Sequence, residues 1–344
     1  MVDFVHPARI RHFFTVDVEE YFQVTALSPH APMAAWGSFE SRVEPAIDRL
    51  LELMAAYGVT GTFFTVGWVA ERHPAMVKRI AAHGHELASH TYDHQRVTHQ
   101  APDAFRDSIR RTKQLLEDLT GTAVLGFRAP SFSIVRGTEW ALDLLIEEGH
   151  TYDSSLFPVS RSGYGYEGGQ RDPYWIDRPS GRIAEFPPAT VRVLGKTLPA
   201  GGGAYFRLLP ERLVHAALRS SAVRRAPGTF YIHPWEWDPG QPQIEVPLLT
   251  KVRHYGGQRR VFGRIERLFG MFEFASIASV LSPDGVEAGF LSKNDCVSQT
   301  HMSMFAGDVV GQVPRADVDR RPAPATSALP SISSAASGMS PSGS

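Results

Sequence analysis

The 344-residue chain lacks several features that would assign it to a common functional class. It has one cysteine, Cys296, so no disulfide can form within the chain. Lys and Arg number 35 against 36 Asp and Glu, without the cationic surplus that nucleic acid or an anionic membrane requires. No stretch approaches the ~20 apolar residues of a membrane span, and Met1–Pro7 shows no basic region followed by an apolar run. We therefore expect a cytoplasmic protein with no nucleic-acid partner and no membrane span.

The composition predicts one large folded region followed by a tail. Hydrophobic residues make up 43% of the chain and charged residues 21%, which is enough apolar mass for a sizeable core. From about Pro314 the chain consists largely of Pro, Ala and Ser, and such a stretch cannot bury enough surface to offset its ordering entropy. We predict a catalytic domain over residues 1–280, with a helical extension from about residue 240, and a mostly disordered tail over residues 281–344.

The folded region alternates short β-branched or aromatic runs with segments of helical periodicity, which is typical of a parallel α/β fold. Candidate chemical residues follow several different strands instead of clustering at one crevice, which favours a barrel over an open doubly wound sheet. We therefore predict a seven-stranded (β/α) barrel. Its strands are expected at residues 13–16, 62–66, 85–88, 124–127, 151–152, 183–186 and 229–232.

Two glycine-rich segments are predicted to be loops. Residues 158–179 combine glycines with Tyr and Trp, as in long loops that shape a binding face. The triple glycine at residues 201–203 is not followed by Gly-Lys-Ser/Thr, so a mobile or close-packed loop is favoured over a phosphate-binding one.

A possible metal site begins with two histidines four residues apart, His90 and His94. On a helical turn such residues share one face, with Cβ atoms roughly 5–6 Å apart, so two imidazoles could reach one ion. Asp17 and Glu19 close the first strand, and strand alternation puts both on one face. One carboxylate can bind a metal while the other serves as a base, although a solvated acidic turn with Glu20 is the simpler alternative.

Three further residues at strand ends are candidates for catalysis. The guanidinium of Arg128 can pair with a carboxylate and hold the pKa of that carboxyl down. His233 can act as a general acid, with Asp153 fixing its tautomer. Each residue alone is more often structural, and it is their combination that predicts an active site.

Together these residues resemble the polysaccharide deacetylase family, the NodB-homology hydrolases of carbohydrate esterase family four, over about residues 10 to 275. More specific segments resemble the branch found with exopolysaccharide and exosortase gene clusters. The resemblance implies a distorted seven-stranded (β/α) barrel that hydrolyses N-acetyl groups on sugars with a divalent metal, usually Zn²⁺. The segments that carry the branch resemblance are residues 17–23, 201–207 and 233–236.

The same resemblance assigns roles. Asp17 is implied as the base, and Val18 stands where the common motif has its acidic ligand, so related Asp-x-Asp members point to Glu19. The implied metal ligands are therefore Glu19, His90 and His94. Arg128 is implied as the partner of the base, Asp153 as the residue that orients the acid, and His233 as that acid.

The substrate side of the predicted site departs from the family pattern. The family aromatic is Ser131 here, though a backbone N–H at this position could still stabilise an oxyanion. A family tryptophan is replaced by Phe157, which changes the expected pocket wall. Oxyanion or substrate contacts are expected from Ser131, Phe132, Trp235 and Tyr205.

We therefore expect a metal-dependent hydrolase that removes N-acetyl groups from an amino-sugar-containing polysaccharide or oligosaccharide, by metal-activated water with Asp17 as base and His233 as acid. One alternative is an amidohydrolase of a small cyclic amide or ureide such as allantoin, which needs a closed pocket. The glycine- and tyrosine-rich loop and the rings of Trp235 and Trp237 favour a broader sugar groove. Another alternative is a non-catalytic glycan-binding protein, although every catalytic position carries a competent residue. The sequence indicates neither the particular glycan nor the oligomeric state.

The segment after the last strand is locally basic. It could suit an acidic polysaccharide, or it could be the solvated face of a helix. The basic residues are Lys251, Arg253, Arg259, Arg260, Arg264 and Arg267, and the expected core side of the helix is Val261, Ile265, Leu268 and Phe272.

Overall fold

The computed structural model describes residues 10–161, 163–282 and 285–286. The described strands are β1 (His12–Val18), β2 (Thr62–Thr65), β3 (Glu86–Ser89), β4 (Gly126–Phe127), β5 (Tyr152–Asp153), β6 (Tyr174–Arg178), β7 (Gly181–Glu185), β8 (Thr190–Val193), β9 (Lys196–Pro199), β10 (Thr229–Ile232), β11 (Phe274–Ala275), β12 (Leu281–Ser282) and β13 (Gly285–Val286).

The described α-helices lie between these strands, and two of them have the Pro or Gly residues that favour helix termini. Pro74 and Pro102 occupy first helical positions, and Gly121 ends a helix in the left-handed conformation. The helices are α1 (Val43–Tyr57), α2 (Gly67–Arg72), α3 (Pro74–Ala82), α4 (Pro102–Thr120), α5 (Trp140–Glu147), α6 (Gly203–Leu208), α7 (Arg212–Val223), α8 (Leu248–Tyr255) and α9 (Val261–Met271).

Seven strands run parallel in the order β10-β1-β2-β3-β4-β5-β7, so the predicted barrel is confirmed. Strand β6 extends the β7 edge antiparallel, and β11 pairs with the start of β1. Two isolated parallel bridges, from Pro188 to Thr229 and from Gly202 to Tyr231, connect the chain after β7 back to β10. Strands β4 and β5 are only two residues long, which makes the barrel irregular.

Alternation along β1 determines which side chains enter the barrel. Phe14, Val16 and Val18 join the core that packs the sheet against the surrounding helices. Residues of opposite parity face inward, so Asp17 lies on the same face as Phe13. Phe13 belongs to an interior cluster that also contains Phe64, Ala88, Tyr152, Ala184, Phe186, Ile277 and Val280. The interior is therefore apolar at the start of β1 and becomes polar toward its carboxyl end.

Both glycine-rich segments differ from simple loops. The loop predicted over residues 158–179 is shorter than expected because residues 174–178 form β6, a partly buried edge strand. Residues 201–203 are close-packed, since the backbone N–H of Tyr231 donates to the carbonyl of Gly201 at 2.8 Å.

Little of the predicted tail falls within the described residues. Of residues 281–344, only the two strands of the β12–β13 pair are among the described residues. The rest of the segment predicted to be disordered, including Cys296, lies outside the described residues. No helix within the described part of the chain is both long and apolar enough to cross a bilayer.

Gly202 provides a test of barrel closure. A Cβ at this position would lie 1.7 Å from the carbonyl oxygen of Tyr231, and its φ of 147° disfavours any other residue. Gly202→Ala should therefore lower the free energy of unfolding by about 1–3 kcal/mol, as overpacking does. Gly270→Ala in α9, with no atom within 4 Å of its Cβ, is the control and should be neutral or slightly stabilising. Equal stability of the two variants in urea denaturation would contradict this view of the closure.

Candidate metal centre and active site

Glu19, His90 and His94 meet at the carboxyl ends of β1 and β3. One potential ligand atom from each lies within 4.8 Å of the others, and all three side chains are buried. The Nδ1 atom of His90 lies 2.7 Å from the carbonyl oxygen of Arg128, and that of His94 lies 2.8 Å from the carbonyl oxygen of Gln23. Each carbonyl selects the tautomer with a proton on Nδ1, which leaves the Nε2 lone pair available for a ligand bond.

This donor set fits a divalent cation. Two imidazole nitrogens and one carboxylate oxygen are typical of zinc sites that keep a coordination position open. The Nε2 atom of His94 lies 2.5 Å from Oε2 of Glu19, yet that buried oxygen has no partner with hydrogen-bond geometry within the described residues. A bound cation would satisfy it. Burial lowers the pKa of His90 to about 4, which keeps its imidazole neutral as a ligand must be.

The backbone between the two histidines is not the helical turn that their spacing predicted. Thr91 and His94 have φ of 61° and 52°, so the segment is an irregular bend, and the predicted turn is wrong. Tertiary contacts hold it: the backbone N–H of Gly67 donates to the carbonyl of Thr91, and the N–H of Tyr92 bonds Oγ of Ser108 at 2.8 Å. Residues other than glycine keep a positive φ only where the surrounding structure imposes it, and such residues are common at functional sites.

Strand alternation separates Glu19 from Glu20. Glu19 faces the histidines, whereas Glu20 accepts hydrogen bonds from Oγ of Ser41 at 2.5 Å and from the backbone N–H of Arg42 at 3.0 Å. These donors precede α1, so the Glu20 carboxylate lies where a helix N-terminus favours negative charge. Glu20 is therefore positioned to stabilise the start of α1.

The two glutamates give a matched test of the metal centre. Glu19→Gln should weaken divalent-ion binding by about tenfold or more, because it removes the only carboxylate in the ligand set. Glu20→Gln should leave the affinity nearly unchanged and lower stability instead. Calorimetric titration with Zn²⁺ measures both variants, and the reverse order of affinities would contradict the assignment.

Arg128 holds the candidate base inside the barrel. The guanidinium is fully buried, with Nη1 at 2.6 Å from Oδ1 of Asp17 and 2.8 Å from Oγ1 of Thr15. Its Nη2 donates to Oγ of Ser154 at 2.7 Å, and the ring of Phe64 lies 4.1 Å below it. The structure thus brings together the predicted pair and leaves Oδ2 of Asp17 directed toward the site.

His233 faces Asp17, but a different carboxylate orients it from the one predicted. Its Nε2 lies 3.5 Å from Oδ2 of Asp17, and its Nδ1 lies 2.7 Å from Oε1 of Glu236. The same Glu236 oxygen accepts the backbone N–H of His233 at 3.1 Å. The assignment of Asp153 as the orienting residue is therefore corrected, because Glu236 already occupies Nδ1.

Asp153 pairs instead with Glu185 across β5 and β7. Oγ of Ser155 donates to Asp153 at 2.5 Å, and the N–H of Leu156 donates to Glu185 at 3.1 Å. Burial raises the pKa of both carboxyls, which are adjacent and compete for negative charge. The pair supports the barrel wall beside Ser154, a partner of Arg128.

Charge around His233 favours its protonated form. Burial opposes a charged imidazolium, but the carboxylates of Glu19, Glu236 and Asp17 together raise the pKa of His233 to about 9. The imidazolium is therefore the main form at neutral pH, as a general acid requires.

Behind Glu236 lies Arg207, and sequence reasoning assigned a role to neither. The Nε of Arg207 donates to Oε2 of Glu236 at 2.6 Å, and the remaining guanidinium N–H groups bond the carbonyls of Arg253, His254 and Gly256. Both residues fall in segments that carried the family resemblance. The sequence offered two signals for these residues. One was a lone arginine in a short, otherwise apolar helix, and the other was a carboxylate between two tryptophans.

The tryptophans predicted to stack on sugar are buried. Trp235 is 7% exposed and Trp237 is 2% exposed. The indole N–H of Trp235 donates to Oε1 of Glu19 at 2.9 Å, and that of Trp237 donates to the carbonyl of Ala46 at 3.1 Å. The expected sugar-stacking role is therefore wrong for both rings, and Trp235 instead positions the Glu19 carboxylate.

The other predicted substrate contacts line the β4 and α6 sides. Ser131 and Phe132 both have positive φ, and Oγ of Ser131 lies 2.7 Å from Oγ1 of Thr25. Tyr205 is half-buried, with its hydroxyl 2.6 Å from that of Tyr164. The oxyanion role of the Ser131 N–H stays a prediction.

The correction at His233 can be tested by titrating its imidazole with NMR in histidine-labelled protein, using His233→Gln to identify the signal. Glu236→Gln removes a negative charge next to the ring, so the pKa of His233 should fall by on the order of one unit. Asp153→Asn is the control and should leave that pKa in place. A shift in Asp153→Asn without one in Glu236→Gln would restore the original assignment.

Two family models match segments of this chain. Residues 31–145 match the family model described as polysaccharide deacetylase, and residues 154–282 match a domain of unknown function, DUF3473. The two matched segments contain the paired histidines, Arg128 and His233, whereas Asp17 and Glu19 precede them.

Two curated relatives match part of the chain. A peptidoglycan-N-acetylglucosamine deacetylase of Bacillus cereus is 34% identical over 96 residues, which are 28% of this chain and 35% of the relative. A peptidoglycan deacetylase of Helicobacter pylori is 33% identical over 113 residues, which are 33% of this chain and 38% of the relative. The chain thus spans little more than a third of the length of these relatives.

A solved structure from Mycobacterium smegmatis, whose own assignment as a polysaccharide deacetylase is provisional, superposes with a TM-score of 0.56. The two chains are 20% identical, and the match covers 84% of this chain and 94% of the other. At that identity the match supports the fold alone.

Proposed function

Because the chain belongs to the polysaccharide deacetylase family, of the NodB-homology type, we propose that it is a metal-dependent hydrolase that removes N-acetyl groups from an amino-sugar-containing polysaccharide or oligosaccharide. The observation that carries the proposal is that Asp17 and His233 face each other beside the Glu19, His90 and His94 cluster, with Nε2 of His233 3.5 Å from Oδ2 of Asp17 and 3.9 Å from Oε1 of Glu19. The two curated relatives are named for deacetylation of peptidoglycan, which supports an N-acetylated glycan as the substrate class.

The reaction consumes one water and converts an acetamide into acetate and an amine. When bound, a divalent ion, for which Zn²⁺ suits the donor set, would polarise the acetamide carbonyl and activate the attacking water. Asp17 removes a proton from that water through Oδ2, since Oδ1 is engaged by Arg128. His233 donates the proton on Nε2 to the departing amine nitrogen.

The contacts of His233 support this division between base and acid. Glu236 holds Nδ1 of His233, so Nε2 is the ring nitrogen that faces Asp17. The distance of 3.5 Å between that nitrogen and Oδ2 of Asp17 supports a base and an acid that act on one substrate group. Because Trp235 and Trp237 are buried, the proposed glycan contacts are assigned to Ser131 after β4 and to Tyr205 on α6.

The finer expectations stay predictions. These are a link to exopolysaccharide synthesis and a cytoplasmic location. The names of the curated relatives favour this reaction over the cyclic-amide alternative, and the candidate base and acid favour an enzyme over a non-catalytic glycan-binding protein.

Acetate release from chitooligosaccharides and from peptidoglycan fragments tests the proposal. The metal-loaded protein should release acetate, and chelator-treated protein should not. Asp17→Asn and His233→Gln should each lower turnover by about 10²–10⁴-fold while elemental analysis shows the metal retained. His99→Gln, at an exposed histidine in the loop after β3, is the matched control.

Two results would contradict the proposal. One is a metal-replete His233→Gln protein that deacetylates at the parent rate. The other is a loaded protein that binds these glycans and releases no acetate, which would make it a glycan-binding protein.

A further inference from the structure

A second cleft, separate from the Asp17 and His233 site, lies between α7 and α9. Its volume is about 650 Å³, and its lining shares no residue with the proposed catalytic site. Five guanidinium groups line it against one carboxylate, Glu211, in a chain whose formal net charge is −1. The five are Arg212, Arg259, Arg260, Arg264 and Arg267.

Most of this positive charge is not neutralised by any residue in the described part of the chain. Arg267 pairs with Glu211 at 2.9 Å, and Arg264 lies 3.9 Å from the same carboxylate. Within the described residues, Arg212, Arg259 and Arg260 form no ion pair and are exposed. Burial, and to a lesser degree repulsion from Arg260 and Arg267, lowers the pKa of Arg264, although Glu211 opposes the shift. A bound anion would relieve this repulsion.

The arginine at the base of the cleft is held in place. Arg264 has a side chain only 12% exposed, and its Nη1 donates to the carbonyls of Phe206, Arg207 and Leu209 at the end of α6. A guanidinium fixed in this way loses little further side-chain entropy when it binds a ligand.

An unpartnered imidazole provides an independent sign of a ligand. His215 lines the cleft from α7 and is only 9% exposed. Its Nε2 is buried and has no hydrogen-bond partner in the described part of the chain. Buried polar atoms are normally hydrogen-bonded, so a cleft that leaves one unsatisfied is suited to a polar ligand.

We propose that this cleft binds a phosphate group. A phosphate presents three or more oxygens and accepts paired hydrogen bonds from several guanidinium groups at once, whereas a carboxylate presents only two. Arginines from α7, from α9 and from the turn before α9 converge on the cleft, which matches the larger anion. A solvated face and a surface for an acidic polysaccharide were both open for the basic side of α9, and the proposal makes it a ligand surface. Val261, Ile265 and Leu268 are buried as predicted, and Phe272 is partly buried.

The phosphate could belong to a soluble ester or to a lipid headgroup. Met271, 45% exposed, lines the cleft, and exposed Leu208 and Leu209 lead directly into Pro210 at its rim. Apolar groups beside a cationic cleft suit a phosphate that carries a hydrocarbon portion. The experiment needs separate arms for the two sources.

Binding to the full chain is measured without turnover, so the outcome is independent of the proposed deacetylase activity. One arm titrates inorganic pyrophosphate by calorimetry. The other sediments the protein with phosphatidylcholine vesicles that contain or lack phosphatidylglycerol. The test variants are Arg259→Gln with Arg260→Gln, and Arg212→Gln on the opposite wall. The control, Arg192→Gln with Lys196→Gln on the exposed β8–β9 hairpin, removes the same charge elsewhere.

The Arg259 and Arg260 double substitution should raise the dissociation constant for pyrophosphate, or for anionic vesicles, at least tenfold, and Arg212→Gln should weaken binding in the same direction. The hairpin control should bind like the parent. Binding of pyrophosphate without binding of anionic vesicles assigns the phosphate to a soluble ester. Binding to anionic vesicles assigns the phosphate to a lipid headgroup. Absence of binding in both arms, equal loss in the hairpin control, or tighter binding of tetragalacturonate, a pure carboxylate probe, would overturn the proposal.

Discussion

The buried ion pair between Arg128 and Asp17 is the interaction on which the site depends. Removing a guanidinium and a carboxylate from water costs several kcal/mol for each ion, so such a pair persists only when its remaining hydrogen bonds are made. Thr15 and Ser154 supply acceptors for the other guanidinium N–H groups, and the Arg128 carbonyl accepts the Nδ1 proton of His90. One residue therefore positions the base, fixes a ligand tautomer and connects β1, β4 and β5.

A second buried arginine, Arg207, repeats this arrangement behind His233. Arg207 engages one oxygen of Glu236, whose other oxygen holds His233. The carbonyls that satisfy Arg207 lie at the end of α8 and just beyond it, so the helical extension after β10 contributes directly to the orientation of the candidate acid. This gives the segment that matches the domain of unknown function a physical role in the site.

Features set by local periodicity were predictable from sequence, and features set by tertiary packing were not. Alternation along β1 distinguishes Glu19 from Glu20, and the same periodicity identified the seven barrel strands. The bend at His90 to His94 depends on positive φ imposed by α2 and α4, which no spacing encodes. Whether Glu236 or Asp153 orients His233 depends on which carboxylate reaches Nδ1 in the folded chain. The buried position of Trp235, with its indole N–H bonded to Glu19, is likewise a result of tertiary packing.

The central claim is that Glu19, His90 and His94 hold one divalent ion beside Asp17 and His233. Anomalous diffraction at the zinc absorption edge, from crystals of the zinc-loaded protein, tests it most directly. The account predicts a single strong peak bonded by Nε2 of both ligand histidines and an oxygen of Glu19, at about 2.0–2.2 Å. A peak held by Glu20 or by the Asp153 and Glu185 pair, or no peak within reach of His90 and His94, would contradict it.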